Sequence, residues 1–399
     1  MKVCILTTSY PAFIEDIQSP FVFRFTKGLI QNNVDVDVVC PYSKKSKFKN
    51  ENYSGINIYR FTYFIRKFQN FTEIGSIPDA MKTIYGKLQM PFFCIAFLMK
   101  SLIISKKSDI IHAQWIIPSG FIGVILKKIY NKPLVVTTRG AELILSSKNK
   151  FWRLFLQYTI NNADFIASNN VEHIKILKSL GVSDKKIKFI PNGLDYDLYK
   201  PRSKKIIRKK LNLNLNDKII LYVGYLIERK RVDILINSFK ELLKFHPNLK
   251  LIIVGDGPLK QNLISLTLNL NLQSNVIFLG KLRSEEVALY MNAADVFSLT
   301  SSSEGRPNVV LEALASGLPV ITTPVGDVTS FLINNVNAFI VDPPNFVDKL
   351  HKILSSKVLR NKFSKNGLNA VKKANPSWEE SAKPYINLYI DLKWFSHIS

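Results

Sequence analysis

Residues 296–322 read VFSLTSSSEGRPNVVLEALASGLPVIT and spell out one strand–loop–helix–strand unit. Val296–Thr300 is a short apolar run that ends in a serine-rich loop, as a buried strand does. Val309–Ser316 is rich in valine, leucine and alanine and is stopped by Gly317, which predicts a helix with a glycine just past its last turn. Val320–Thr322 is a second strand. A strand that returns to another strand through a helix predicts parallel pairing, in a sheet covered on both faces.

The same alternation extends outward from this unit. Upstream stand the strand Ile219–Val223, the helix Val232–Phe245 and the strand Leu249–Val254, which runs into Gly255-Asp256-Gly257-Pro258. A helix from Leu259, the strand Val276–Leu279 and the helix Glu285–Ala293 follow. A first α/β region precedes the basic, Asn-rich stretch Pro201–Asp217. Its strands are expected at Val3–Thr7, Val34–Val39, Asp109–His112, Leu134–Thr138, Asp164–Ser168 and Lys188–Pro191. Its helices are expected at Phe21–Asn32 and around 91–105, 119–129, 150–161 and 170–180. The predicted fold is α/β, with two Rossmann-like, doubly wound domains at 1–200 and 201–380. The tail from Pro376 to Ser399 reads as helix, and 381–399 is expected to return to the first domain. Ligands of such sheets bind beyond the carboxyl ends of the strands, here in a cleft that the two domains face.

The totals agree with this division. A chain of 399 residues is too long for one ordinary core, and 47% hydrophobic residues provide two interiors. Cys4, Cys40 and Cys94 are odd in number and match no metal spacing, so they read as reduced core residues of a cytosolic protein. The apolar run at Met1–Ser9 is too short for a signal peptide. The longest apolar stretch, Met90–Ser105, is broken by Lys100 and falls short of the roughly 20 residues that span a bilayer. A cytoplasmic location is the expectation. Net charge is +25, with 28 basic and 14 acidic residues up to position 200 and 27 and 16 after it, so the excess is no local tail. Nucleic acid, an anionic membrane surface, a phosphorylated ligand or a lysine-rich composition alone would each account for it. No zinc finger, RNA-recognition signature or basic helix accompanies the charge, so no nucleic acid is expected, and a basic nucleic-acid-binding protein stays a distant rival.

The chemistry concentrates in the loop at 300–308. Glu304 lies in the loop and Glu312 just over one turn into the helix that follows. Gly305 permits close backbone approach, and the free N–H groups of the helix start suit a phosphate or a developing negative charge. Both glutamates can accept hydrogen bonds from the vicinal hydroxyls of a sugar or ribose. The plainer reading makes Asn308 an N-cap and Glu312 an acid that complements the helix dipole.

This run resembles the E-x7-E motif of the retaining GT-B glycosyltransferases of family 4, including its E-A-L-A-S-G-L-P-V flank. The resemblance extends over nearly the whole chain, because further motifs follow in order. Val223-Gly224-Tyr225-Leu226-Ile227-Glu228-Arg229-Lys230-Arg231 is similar to the family's V-G-R-L-x-x-x-K-G, and Gly255-Asp256-Gly257-Pro258 to its V-G-D-G-P. Ile190-Pro191-Asn192-Gly193-Leu194-Asp195 resembles P-N-G-V-D. The resemblance implies a GT-B fold, a nucleotide diphosphate sugar as donor, and hexosyl transfer with retention and without a metal or other cofactor. It gives Lys230 and Arg229 the task of neutralising the diphosphate, Glu304 the hydroxyls of the transferred sugar and Glu312 those of the ribose. Backbone groups of Gly305, Arg306, Pro307 and Asn308 would complete the donor contacts. A sugar-nucleotide epimerase of similar fold is the rival within the same class.

Several positions depart from the family pattern. Tyr225 stands where an arginine is frequent, Gln18-Ser19-Pro20 where paired glycines are, and Val325-Gly326-Asp327 in place of V-G-G. Arg139, in Thr137-Thr138-Arg139-Gly140-Ala141-Glu142, stands where a histidine is common. It stays protonated and so cannot act as a base. It either orients a phosphate or hydroxyl, or is a structural partner of Glu142. His112 is a candidate for acceptor binding or for a satisfied structural role, and Asn192 is a further cleft candidate. Trp115 can stack on a sugar or pack in the core. The acceptor is expected to be a glycan or lipid-linked group in polysaccharide or glycoconjugate synthesis. Aromatic and basic segments at Tyr59–Phe68 and Phe151–Arg153, with Lys148 and Lys150, would suit peripheral contact with the inner face of an anionic membrane.

Overall fold

A computed structural model describes residues 1–12, 20–69, 71, 81, 83–139, 143 and 150–396. Gln18, Ser19, Gly140, Ala141, Glu142 and Lys148 lie outside the described residues, as does the pairing of Arg139 with Glu142. The chain divides into two compact units, Met1–Gly193 with Pro376–Ser399, and Leu194–Asn375.

In the first unit, continuous apolar runs give strands buried on both faces. The unit's strands are β1 (Lys2–Leu6), β2 (Asp35–Pro41), β3 (Asn50–Tyr53), β4 (Ile56–Phe61), β5 (Ile110–Gln114), β6 (Leu134–Thr138), β7 (Phe165–Ser168) and β8 (Ile187–Phe189), of which the edge strands β3 and β8 are partly exposed. Their order is β3-β4-β2-β1-β5-β6-β7-β8, parallel throughout except that β3 runs antiparallel to β4. The helix Pro20–Gln31 buries Val22, Phe25 and Leu29, the i, i+3, i+7 face of an amphipathic helix. The C-terminal helix Trp378–Ser396 lies against it and buries Ala382, Tyr385 and Tyr389. That docking needs small residues beneath it. A Cβ on Gly28 would stand 2.4 Å from the Trp378 carbonyl oxygen, and one on Gly193 2.3 Å from the Trp378 Cα.

Two expectations are corrected here. Tyr59–Phe61 belongs to β4, with Arg60 buried against Glu51 and the Pro11 carbonyl, so this part of the aromatic-basic segment is core. The apolar stretch begins at Ile84 rather than near 91. The helix Ile84–Ser105 has 22 residues and is long and apolar enough by composition to cross a membrane, because Thr83 caps it and Pro91 is carried inside. The cysteines are free. Burial pushes the Cys40 and Cys94 thiols up to about 11, which keeps them protonated and unreactive near neutrality.

The second unit holds β9 (Lys218–Val223), β10 (Leu249–Val254), β11 (Val276–Gly280), β12 (Val296–Leu299), β13 (Val320–Thr322) and β14 (Phe339–Ile340). Their order is β11-β10-β9-β12-β13-β14, all parallel. Counted from the first strand of the unit this is 3-2-1-4-5-6, the dinucleotide-binding arrangement, with its reversal between β9 and β12. Helices on both faces close the core. Val232–Leu242, for example, buries Val232, Leu235, Ile236, Phe239 and Leu242.

Candidate active site

The loops after β9 and β12 leave neighbouring strands at the point where the strand order reverses, so their side chains converge. Glu304 is nearly buried, and its Oε1 accepts hydrogen bonds from Lys230 Nζ at 2.5 Å and Ser301 Oγ at 2.6 Å. Oε2 accepts from Arg229 Nη1 at 3.3 Å, and the same nitrogen donates to the Ser303 carbonyl at 3.0 Å. The Lys230 side chain is 11% exposed and that of Arg229 51%, so one cation is fixed in the wall and the other reaches solvent. The loop backbones are fixed as well. Ser302 N donates to the Arg229 carbonyl at 2.7 Å, and Thr300 Oγ1 to those of Lys230 and Arg231 at 3.0 and 2.8 Å. Two cations against one carboxylate leave a net positive surface, which suits a diphosphate.

The helix Asn308–Ala315 begins at the end of this loop and brings the positive end of its dipole to it. Its cap is Pro307, with no side-chain hydrogen bond, and Asn308 is the first helical residue, so the N-cap expected at Asn308 is displaced by one. Pro307 has no N–H to give, and its carbonyl accepts from Val310 N at 3.0 Å. Glu312 is half-buried in the second turn. The Arg306 guanidinium is turned inward. It pairs with Asp327, donates to Asn375 Oδ1 at 2.5 Å and lies 5.1 Å over the Phe331 ring. The Arg306 side chain is therefore committed within the unit, and Asp327 departs from the family's glycine because it answers this buried charge. Burial raises the Asp327 carboxyl against the pull of Arg306.

Close backbone contacts support these loops. A Cβ on Gly255 would fall 1.9 Å from the Gly224 carbonyl oxygen, and one on Gly257 2.5 Å from that of Leu226. Leu226 N donates to the Asp256 carbonyl at 2.8 Å. The Gly255–Pro258 turn thus buttresses the Lys230 loop. Tyr225 is 58% exposed on that loop.

In the first unit, Arg139 and Asn192 meet after β6 and β8. Arg139 Nη1 donates to Asn192 Oδ1 at 2.8 Å, its Nε and Nη2 donate to Gln114 Oε1 at 3.1 and 2.5 Å, and its guanidinium lies 4.8 Å over the Phe21 ring. Sequence reasoning does not single out Gln114. Its place at the end of β5, two residues beyond His112 and opposite Thr137, is the signal that would have found it. Trp115, at φ +76°, is held edge-on to Phe21.

His112 does not reach the surface. It is fully buried, with Nδ1 2.5 Å from the Tyr389 hydroxyl, Nε2 2.7 Å from Thr137 Oγ1, and Tyr385 stacked on its ring. Of its two readings, the satisfied structural role is the one this ring fits, because the C-terminal helix covers it. Burial, with Arg139 nearby, lowers its pKa to about 3. A base whose folded pKa lies below the ordinary 6.5 takes up its proton more readily when unfolded, so its contribution is present above about pH 6.5 and is lost as pH falls. Acidification from pH 7 to 5 should cost about 2 kcal/mol through His112. Urea unfolding at pH 5, 6 and 7 should show the parent losing about that much more stability than His112→Gln. Parallel pH profiles would mean that the ring is not sealed.

Comparison with known proteins agrees with this architecture. Residues 203–370 match the family "Glycosyl transferases group 1" and residues 18–198 match "Glycosyltransferase Family 4". A glycosyltransferase of Methanocaldococcus jannaschii, MJ1607, is 26% identical over 407 residues, covering 98% of each chain. Among solved structures, sucrose-phosphate synthase from Thermosynechococcus elongatus has a TM-score of 0.80 at 21% identity, covering 98% of this chain and 99% of its own. HepE of Anabaena, solved with UDP-glucose, has a TM-score of 0.73 at 18% identity, covering 98% and 100%. At these identities the structures speak for the fold. With two family matches that share almost the whole chain between them, and two parallel-sheet domains of GT-B type, the protein belongs to the family 4, group 1 glycosyltransferases.

Proposed function

We propose that this glycosyltransferase is a retaining, metal-independent enzyme whose second unit holds a nucleotide diphosphate sugar and whose first unit binds a glycan or lipid-linked acceptor. The observation that carries this reading is Glu304 held between Lys230 and Ser301 where the strand order reverses. The carboxylate is oriented for the hydroxyls of the transferred sugar, and Glu312 is assigned to the ribose. Lys230, Arg229 and the N–H groups of Gly305, Arg306 and Asn308 meet the diphosphate charge, which is why no metal is invoked. HepE, of the same fold, was solved with UDP-glucose, which favours a donor of this class. The cluster of Arg139, Gln114 and Asn192, with Trp115 beside it, supports acceptor binding on the first unit.

In the reaction proposed, the bond between the anomeric carbon and the diphosphate oxygen breaks while the acceptor oxygen attacks from the same face. The acceptor proton passes to the departing phosphate. Lys230 and Arg229 stabilise the charge that grows there, and positioning supplies much of the remainder. The buried thiols fit a reducing, cytoplasmic setting.

Uridine and guanosine diphosphate sugars should be screened by thermal denaturation, because a ligand of the native state alone raises its stability. The matching donor should raise the melting temperature, give free nucleoside diphosphate on adding acceptor, and do both in EDTA. The product's anomeric configuration, read by NMR, should equal the donor's. Inversion, conversion of the donor without release of nucleoside diphosphate, or loss of turnover in EDTA would each overturn the part it addresses.

A further inference from the structure

The helix Ile84–Ser105 presents two apolar faces. One closes the core of the first unit, where Phe93 and Phe97 are fully buried and Phe61 stacks 4.7 Å from Phe97. The other carries Ile84, Leu88, Phe92, Ile95, Met99 and Ile103 at helical spacing, each between 54% and 78% exposed. Only 33% of the most apolar stretch is buried. A stripe of this length, unbroken by any polar side chain, is far more than the scattered apolar residues of an ordinary surface.

Along the helix itself the charges are of one sign. Residues 83–108 contain Lys87, Lys100, Lys106 and Lys107 and no aspartate or glutamate. At one end, Gln89 Nε2 donates to the Phe68 carbonyl at 2.9 Å and holds the turn Arg66–Phe68 beside the helix, with Ile65, Arg66 and Lys67 exposed. At the other end, Lys132 Nζ donates to the Ser105 and Lys106 carbonyls at 2.7 and 2.6 Å. Apolar side chains rimmed by cations match the boundary between acyl chains and anionic headgroups.

We infer that this helix lies in the plane of an anionic lipid surface, with the stripe at Leu88–Ile103 inserted among the acyl chains and the flanking lysines and arginine on the headgroups. Its inner face excludes a spanning orientation, because crossing the bilayer would strip Phe93 and Phe97 from the core that they complete. Insertion places the first unit, which carries the proposed acceptor residues, at the surface where lipid-linked acceptors reside. The inference stands on the helix alone and does not require the donor assignment.

The test is co-sedimentation of the full chain with vesicles of phosphatidylglycerol and phosphatidylcholine, against phosphatidylcholine alone. The parent should partition at least about tenfold more strongly onto the anionic vesicles. Ile95→Glu with Met99→Glu should lower that partition at least about tenfold while thermal stabilisation by the donor stays unchanged. In Leu88→Trp, brominated lipids should quench emission beyond that of the parent. No binding by the parent, equal binding by the double variant, or no added quenching would overturn the inference. So would a parent dimer in analytical ultracentrifugation that the double variant dissociates, since the stripe would then face a second copy. Failure here with donor stabilisation intact leaves the proposed reaction standing.

Discussion

Lys230→Ala should lower kcat/KM on the order of a hundred- to a thousandfold, mostly in kcat, and should also destabilise the second unit by about 3 kcal/mol. Both effects come from one nitrogen. In the resting arrangement the ammonium neutralises Glu304 at 2.5 Å in a site where both side chains are nearly buried. Removing it leaves the carboxylate bonded to Ser301 and the half-exposed Arg229, and a buried charge that has lost its close partner is costly. In the proposed reaction the same ammonium faces the leaving diphosphate, where charge grows only as the bond breaks. The two roles separate in a paired variant. Lys230→Met with Glu304→Gln removes both charges and should restore much of the stability, read by thermal denaturation. Turnover should remain low. Recovery of turnover along with stability would reduce Lys230 to a structural support for its loop.

The parts of this site are legible in the sequence, but their pairing is not. Most parallel strands can be read to within two residues, because burial on both faces writes them as continuous apolar runs. β3 and β14 carry no such signal: Asn50–Tyr53 is wholly polar but for its tyrosine, and Phe339–Ile340 is two residues long. β4 alternates Ile56 and Ile58 inward with Asn57 and Tyr59, a period-two signal masked by the basic and aromatic residues that follow it. Glu304 and Lys230 are 74 residues apart, and only the adjacency of β9 and β12 joins them. His112 is open to two readings because its cover, Tyr389, arrives 277 residues later. Arg306 sits in a run that resembles a donor loop, yet its direction is set by Asp327, a residue visible in the sequence only as a departure from the family's glycine.

Gly326→Ala should raise the KM for donor at least about tenfold and cost about 2–4 kcal/mol of stability. Gly326 adopts φ +57°, where any L-residue with a Cβ is disfavoured by roughly 1–2 kcal/mol. Steric overlap costs more. A Cβ there would stand 2.1 Å from the Gly305 carbonyl oxygen and 3.0 Å from that of Glu304. These are backbone atoms, so no rotamer change relieves the clash and the 304–305 segment must move. Asp327 N donates to that same Gly305 carbonyl at 3.1 Å, and Asp327 holds Arg306, so displacement at 326 spreads along the whole loop. Glu304 then loses its register with Lys230, and the N–H groups at the helix start turn from the diphosphate. Gly181→Ala is the informative contrast. Its φ is +88°, but a Cβ there meets nothing within 4 Å, so it should show the backbone cost alone and leave donor KM unchanged. Equal donor KM in the two variants would show that the contact between residues 326 and 305 does not position the donor loop.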